Sequence, residues 1–337
     1  MNVTGFRYVY GPVASRRLGR SLGVDLVPFK TCSYDCIYCQ LGRTTRKTIE
    51  RSEYLPIAPM LAELERKLAA GPAPDYITLA GSGEPTLNAR IGELITGIKK
   101  LTSIDVAVLT NGSLLWMPDV RQELSQADLV LPSLDAGDRE LFSRVNRPHA
   151  AIDFDTMIEG LIWFTQNFAK PVWLEVFLLA DITGISSEVE KIAGLTQRIR
   201  PERVQLNTVS RPPCEQFAQS LTAEQLQAFT ALFEVPTEVV TESPVHASRS
   251  DAGSAVSDAD ILALISRRPC TARGVAEGLG LHINEATKRL RDLCAQGNAI
   301  PARDSRDVFY QSTGGSTKRN SSRSTVSAPR KIGSHRR

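Results

Sequence analysis

The chain predicts an α/β protein built on a parallel sheet, followed by a small helical unit and a basic tail. Three observations carry this. Six short apolar runs alternate with segments of helical period. Five of those runs end in polar clusters. A Ser/Ala/Pro/Asp-rich stretch at 241–256 separates residues 1–240 from a compact three-helix pattern. Alternating strands and helices close into a parallel sheet with right-handed crossovers. A hydrophobic content of 42% over 337 residues supports a large core and a second, smaller unit.

Residues 21–29 alternate in polarity and read as the first strand, ending at a cysteine-rich loop. A helix is expected over 56–70, with Met60, Leu61, Leu64 and Leu68 as its apolar stripe, Pro56 in its first turn and Gly71 as its stop. Residues 76–80 form a short buried strand that feeds Gly81-Ser82-Gly83-Glu84-Pro85. A helix over 90–101 places Ile91, Leu94, Ile95 and Ile98 on one face. Strands follow at 105–109, 128–134, 172–179 and 203–208, with helices at 154–168 and 187–198. The cysteine loop, Gly83-Glu84, Thr110-Asn111, residues 133–135 and Asn207-Thr208 then fall at the carboxyl ends of five strands. Chemistry in parallel α/β folds gathers at that end, where loops and free backbone groups converge.

Three of the 6 cysteines, Cys32, Cys36 and Cys39, stand in a C-x-x-x-C-x-x-C spacing. Thiolates so spaced converge on one face of an iron–sulfur cluster and leave one iron without a protein ligand. An open iron takes a substrate or cofactor, so the triplet reads as catalytic. A structural zinc site would need four closing ligands. No histidine lies near the loop, and Cys214, Cys270 and Cys294 read as ordinary thiols. A disulfide framework does not suit so long a chain with so few cysteines. The four histidines, at 149, 246, 282 and 335, form no cluster.

With Tyr38 before its last cysteine, the triplet resembles the signature of the radical S-adenosylmethionine (SAM) superfamily. Gly81-Ser82-Gly83-Glu84-Pro85 resembles that superfamily's glycine–glycine–glutamate–proline motif. The resemblance implies a partial (β/α)6 barrel, a 4Fe–4S cluster on Cys32, Cys36 and Cys39, and SAM chelating the open iron. A one-electron reductant would then drive cleavage of SAM to methionine and a 5′-deoxyadenosyl radical, which abstracts hydrogen from an unidentified substrate. The implied SAM contacts are Tyr38 beside the adenine and Gly81, Gly83 and Glu84 at the amino group. Ser133 and Asp135 suit the ribose or carboxylate, with strand-end capping as the alternative. Asn111 is a pocket candidate but foremost a turn residue, and Glu175 and Asn207 complete the set. Residues 11–32, including Arg16, Arg17 and Arg20, resemble a narrower branch grouped with wyosine-base-forming tRNA enzymes. No cysteine precedes Cys32, so the second cluster and the activity of archaeal wyosine enzymes are not expected.

Residues 257–312 resemble a winged helix-turn-helix unit. Ser257 and Thr271 cap its first two helices, a third opens at Asn284, and a strand pair follows at 298–302 and 307–311. The outer face of the third helix is expected to carry Lys288, Arg289 and Arg291, suited to nucleic-acid phosphates; docking of a peptide or protein is the other expectation. Residues 313–337 hold seven Lys or Arg and no acid, a disordered basic tail that either touches nucleic acid loosely or solubilises the chain. Arg16, Arg17 and Arg20 suit phosphate or carboxylate, or form a solvated loop. Arg43, Arg46, Lys47 and Arg51 read as a solvated face or an entrance rim. No apolar run has the length of a membrane span, and the first residues lack a signal-peptide core, so the expected location is cytoplasmic. Three functions compete: a radical SAM enzyme acting on a substrate such as tRNA, a peptide-modifying radical enzyme, and an iron–sulfur DNA-binding regulator.

Overall fold

The computed structural model describes residues 6–240, 256–303 and 307–313. Nearly all of the expected linker and of the expected basic tail lies outside the described residues. The strands are β1 (Val9–Ser15), β2 (Gly19–Asp25), β3 (Thr31–Cys32), β4 (Arg46–Lys47), β5 (Tyr76–Ala80), β6 (Asp105–Thr110), β7 (Leu129–Pro132), β8 (Trp173–Leu178), β9 (Arg203–Thr208), β10 (Thr237–Val239), β11 (Cys270–Thr271), β12 (Ala299–Arg303) and β13 (Val308–Ser312). The helices are α1 (Ile57–Ala69), α2 (Ile91–Leu101), α3 (Pro118–Leu124), α4 (Arg139–Val145), α5 (Phe154–Asn167), α6 (Ser186–Ile199), α7 (Ala223–Phe229), α8 (Asp258–Arg267), α9 (Ala272–Leu279) and α10 (Ile283–Ala295).

Strands β2, β5, β6 and β7 pair in parallel, and so do β8, β9 and β10. Parallel bridges Val130–Val172 and Ser133–Glu175 join β7 to β8. The order is therefore β1-β2-β5-β6-β7-β8-β9-β10, with β1 antiparallel on one edge. Side chains from β1, β2, β5, β6, β8 and β9 line one common cavity, so the sheet curls round it. Ile77, Leu79, Val106, Val108, Val130, Leu174, Val176, Val204 and Leu206 are all fully buried. Alternation and register put them all on one face, the apolar face that crossover helices cover, while Thr78, Ala80, Leu109, Glu175, Phe177 and Asn207 on the other face line the cavity.

The six expected strands are present, three with bounds shifted by one or two residues and the first by more. The first ends at Asp25 rather than 29. Pro28 has no N–H to give a ladder, and Lys30 turns the chain with a φ of 57°. Strands β1 and β10 were not expected. The segment around Arg16, Arg17 and Arg20 is thereby corrected from a solvated loop to a partly buried hairpin turn between β1 and β2. Arg51 is corrected too: it is buried, donates to the Thr86 carbonyl at 2.9 Å and pairs with Asp119 and Glu123.

Beyond the barrel, α8, α9 and α10 pack around Ile261, Leu264, Ile265, Val275, Leu290 and Leu293 beside the antiparallel sheet β11-β13-β12. A capping box between Ser257 and Asp260 starts α8, the Thr271 hydroxyl caps α9, and Gly280 ends it in the left-handed region. Arg289 does not stand on the outer face as expected. It pairs with Asp258 at 2.6 Å and donates to the Val256 carbonyl at 2.7 Å, tying α10 to the start of α8. The core of this unit continues into Tyr10 and Val13 of β1. Helix α9 lies so near that edge that a Cβ on Gly278 would meet the Pro12 carbonyl at 3.2 Å. Lys67 of α1 pairs with Asp260 at 2.8 Å, and Arg267 pairs with Asp25 at 2.5 Å. Among the described residues no helix is long and apolar enough to cross a membrane.

Candidate active site

The cysteine loop is held by what lies between its cysteines. Tyr34 and Ile37 are buried. The amides of Asp35 and Ile37 donate to Asn146 at 3.0 Å and to Val145 at 2.9 Å, at the end of α4. The Asp35 carboxylate accepts from the Thr44 amide at 2.7 Å and closes the loop behind. Ser33 hydrogen-bonds Ser113 and the Tyr34 ring packs edge-on against Phe142, so the loop is anchored from several sides.

Each sulfur receives an N–H from a separate side chain. Lys30 Nζ lies 3.1 Å from Cys39 Sγ, Asn111 Nδ2 3.6 Å from Cys32 Sγ, and Asn146 Nδ2 3.5 Å from Cys36 Sγ. Such donors stabilise sulfur carrying negative charge, the state that binds iron. Burial and the charge of Glu84 push the Cys32 thiol up to about 12, and burial and Asp135 push Cys36 well upward. Thiols so placed ionise only beside a compensating cation. Among the described residues, no three His, Cys, Asp or Glu side chains converge on a single-ion point. A cuboidal cluster instead meets each thiolate through a different iron. The donor set fits the cluster better than a lone zinc.

The strand ends around the loop are fixed by two buried carboxylates. Glu84 accepts from Thr86 N at 3.0 Å, Thr86 Oγ1 at 2.6 Å, Thr110 Oγ1 at 2.7 Å and Asn111 N at 2.7 Å. It thereby locks the end of β6 to the turn after β5. Gly81 has a φ of +111°, and a Cβ on Gly83 would lie 1.9 Å from the Thr31 carbonyl, so this turn packs directly on the cysteine loop. Asp135 accepts from the Tyr38 hydroxyl, from Asn146 Nδ2 at 2.7 Å and from the Phe177 amide at 3.2 Å. Burial raises its carboxyl to about 6 against those bonds. The Tyr38 ring stacks on Phe177 with centroids 4.1 Å apart.

A cavity of about 320 Å³ opens beside these groups. Of the expected site residues, Tyr38, Cys39, Gly81, Glu175 and Asn207 line it. Cys32, Cys36, Gly83, Glu84, Asn111, Ser133 and Asp135 are not among the residues that line it. Glu175 accepts from Asn207 Nδ2 at 2.9 Å and faces Arg17 Nη1 at 2.7 Å. The Arg17 contact is an ion pair too bent for a hydrogen bond. Ser133 Oγ reaches Glu175 at 3.5 Å. Lys30, Asn146, Phe177, Asp25, Arg267 and Arg268 were not anticipated at the site. Lys30 had a signal, two residues before Cys32; Asn146 is 110 residues from Cys36 and had none.

Fold and donor set define a radical SAM domain, and residues 26–193 match the Radical SAM superfamily profile. The chain belongs to the UPF0026 family. It is 32% identical over 308 residues to the UPF0026 protein MJ1312 of Methanocaldococcus jannaschii, covering 89% of this chain and 94% of that protein. It is also 40% identical over 286 residues to a protein of Brachyspira hyodysenteriae called GTPase Obg, covering 85% of this chain but 42% of that one. A radical SAM methyltransferase structure from Sphaerobacter thermophilus shares the fold, with a TM-score of 0.52, 18% identity and 65% coverage of each chain. The cofactors of the domain are a 4Fe–4S cluster and SAM, and the sulfur, N–H and glycine arrangement fits both.

Proposed function

We propose that this protein is a radical SAM enzyme that holds its cluster on Cys32, Cys36 and Cys39 and works on a substrate seated in the adjoining cavity. The observation that carries this is the set of three sulfurs, each given one side-chain N–H, at the carboxyl mouth of a curled parallel sheet. Bound together, the cluster and SAM supply one-electron cleavage of the sulfonium to methionine and a 5′-deoxyadenosyl radical for hydrogen abstraction. The chain's own residues do the positioning. Lys30, Asn111 and Asn146 stabilise charge on sulfur. Glu84 fixes the Gly81–Glu84 turn, where glycine lets backbone carbonyls approach a cofactor. Asp135 orients Tyr38, and the Tyr38–Phe177 stack offers an apolar platform. Asn207, Glu175 and Arg17 form the polar wall. The one-electron donor comes from outside the chain.

The tRNA, nucleic-acid and peptide readings of the C-terminal unit rest on the exposed Lys288 and Arg291 of α10, since Arg289 is turned away and tied to the start of α8. The unit's inward residues, Arg267 and Arg268, reach the cavity instead, which ties the unit to enzyme rather than regulator. The test is anaerobic reconstitution followed by reduction with SAM. About four irons per chain and release of 5′-deoxyadenosine are expected, and Cys39→Ser should lose both. A full cluster that never yields 5′-deoxyadenosine with candidate substrates present would contradict the proposal.

A further inference from the structure

Tyr10 of β1 is buried, pairs across the hairpin with Gly23 of β2, and lines the cavity. Its ring takes the place of a side chain at Gly23, where a Cβ would lie 2.1 Å from Cζ, the ring carbon that bears the hydroxyl. The Arg267 guanidinium carbon stands 4.8 Å from the ring centroid, itself held by Asp25 at 2.5 Å and by the Arg7 carbonyl at 2.6 Å. Strand and arginine together fix where the hydroxyl points. It ends at the Gly81 turn, 3.3 Å from where a Cβ on Gly81 would sit. That turn leans on the cysteine loop. The Lys30 amide donates to the Ser82 carbonyl at 2.6 Å, and the Glu84 amide to the Thr31 carbonyl at 3.1 Å. Among the described residues the Tyr10 hydroxyl has no hydrogen-bond partner. A buried tyrosine hydroxyl finds a partner as a rule, and here the cavity is where one can stand. Burial and the charge of Asp25 push its ionisation well above the usual phenol range, so the group stays a donor.

We infer that Tyr10 is a direct contact for SAM, its hydroxyl donating to the carboxylate at the amino-acid end of the cofactor. This deepens the radical SAM reading and rests on it. The amino and carboxylate groups are the pair by which SAM chelates the open iron, so they lie on the side of the cavity where the cysteine loop stands. Tyr10 reaches the turn that leans on that loop. The amino group suits the backbone carbonyls of the turn, whereas the carboxylate needs a donor, and a hydrogen bond to a charged oxygen is the stronger kind. Tyr10, Gly23 and Arg267 all lie outside residues 26–193, the span that matches the superfamily profile. The contact is therefore built by the edge strand and the C-terminal unit together.

The test titrates SAM by calorimetry into the full chain with its cluster reconstituted under anaerobic conditions, and unfolds the same proteins in urea. Tyr10→Phe keeps the ring, its fit against Gly23 and its contact with Arg267, and removes only the hydroxyl. Its Kd for SAM should rise about tenfold or more, with the urea midpoint unmoved. Tyr8→Phe, on the same strand but packed in the main core, should leave the Kd unchanged. An unaltered affinity in Tyr10→Phe would overturn the inference. So would a loss that comes with a lowered urea midpoint, the mark of a merely structural role, or an equal loss in Tyr8→Phe. Wild-type protein with a full cluster that binds no SAM would sink the radical SAM reading and this contact with it. Wild-type binding matched by Tyr10→Phe sinks the contact alone.

Discussion

Lys30 shows how a single side chain bears on the chemistry. It sits at a positive φ, nearly buried, with its ammonium on Cys39 Sγ. Burial opposes its charge, yet the cysteine sulfurs hold its proton more firmly than usual. A donor to sulfur favours the more negative, reduced cluster. Lys30→Met should therefore lower the midpoint potential by tens of millivolts, the one-electron equivalent of about 1 kcal/mol. Potentiometric titration followed by electron paramagnetic resonance measures this, and an unchanged or higher potential would contradict the role. Asp135 makes a different prediction. Its folded carboxyl, near 6, keeps a proton that the unfolded chain has already released. Below about pH 4 both states are protonated and nothing is lost. As pH rises from about 4 to 6 stability should fall, by about 3 kcal/mol in total, and stay lower above. Urea unfolding of the metal-free protein should show this fall in the wild type and not in Asp135→Asn. The cysteine triplet and Glu84 were legible because their spacing is local. The sulfur donors Asn111 and Asn146 were not legible as donors, because they reach the loop only through folding.

The strand at the edge explains how two units become one. Strand β1 carries the β2 hairpin on one side and α8 and α9 on the other. Its register breaks between Tyr10 and Val13, at Gly11-Pro12, which hid it from an alternation reading. Strand β10 is three residues long and carried too little pattern to be seen. The six central strands were legible because they are apolar runs bounded by turn residues. The first two helices of the C-terminal unit were legible from their caps, Ser257 and Thr271, whereas the third, expected to open at Asn284, is capped by His282. Docking of that unit was not legible, since Arg267 and Asp25 stand 242 residues apart. Their side chains are 10% and 8% exposed, so breaking the pair leaves a buried carboxylate alone. Arg267→Met should cost about 3 kcal/mol or more, and adding Asp25→Asn should recover much of it. Asp25 also accepts the Ser82 amide at 2.8 Å, so SAM affinity should fall with the single variant. Chemical unfolding paired with SAM titration checks both, and an unmoved midpoint would contradict the anchoring role.

At the scale of the molecule, the curled sheet places loops from opposite ends of the barrel round one cavity, and the C-terminal unit closes a side of it. The sheet fixes where the cysteine loop stands, and the loop fixes how many iron corners the protein fills. Filling three and leaving one is the claim on which the enzymatic reading depends. Mössbauer spectroscopy of protein reconstituted with ⁵⁷Fe, taken before and after SAM, measures this most directly. The account predicts that one iron of the cluster separates from the others when SAM is added. Irons that stay equivalent on saturation with SAM, or a site that takes zinc and no cluster under the same conditions, would contradict it.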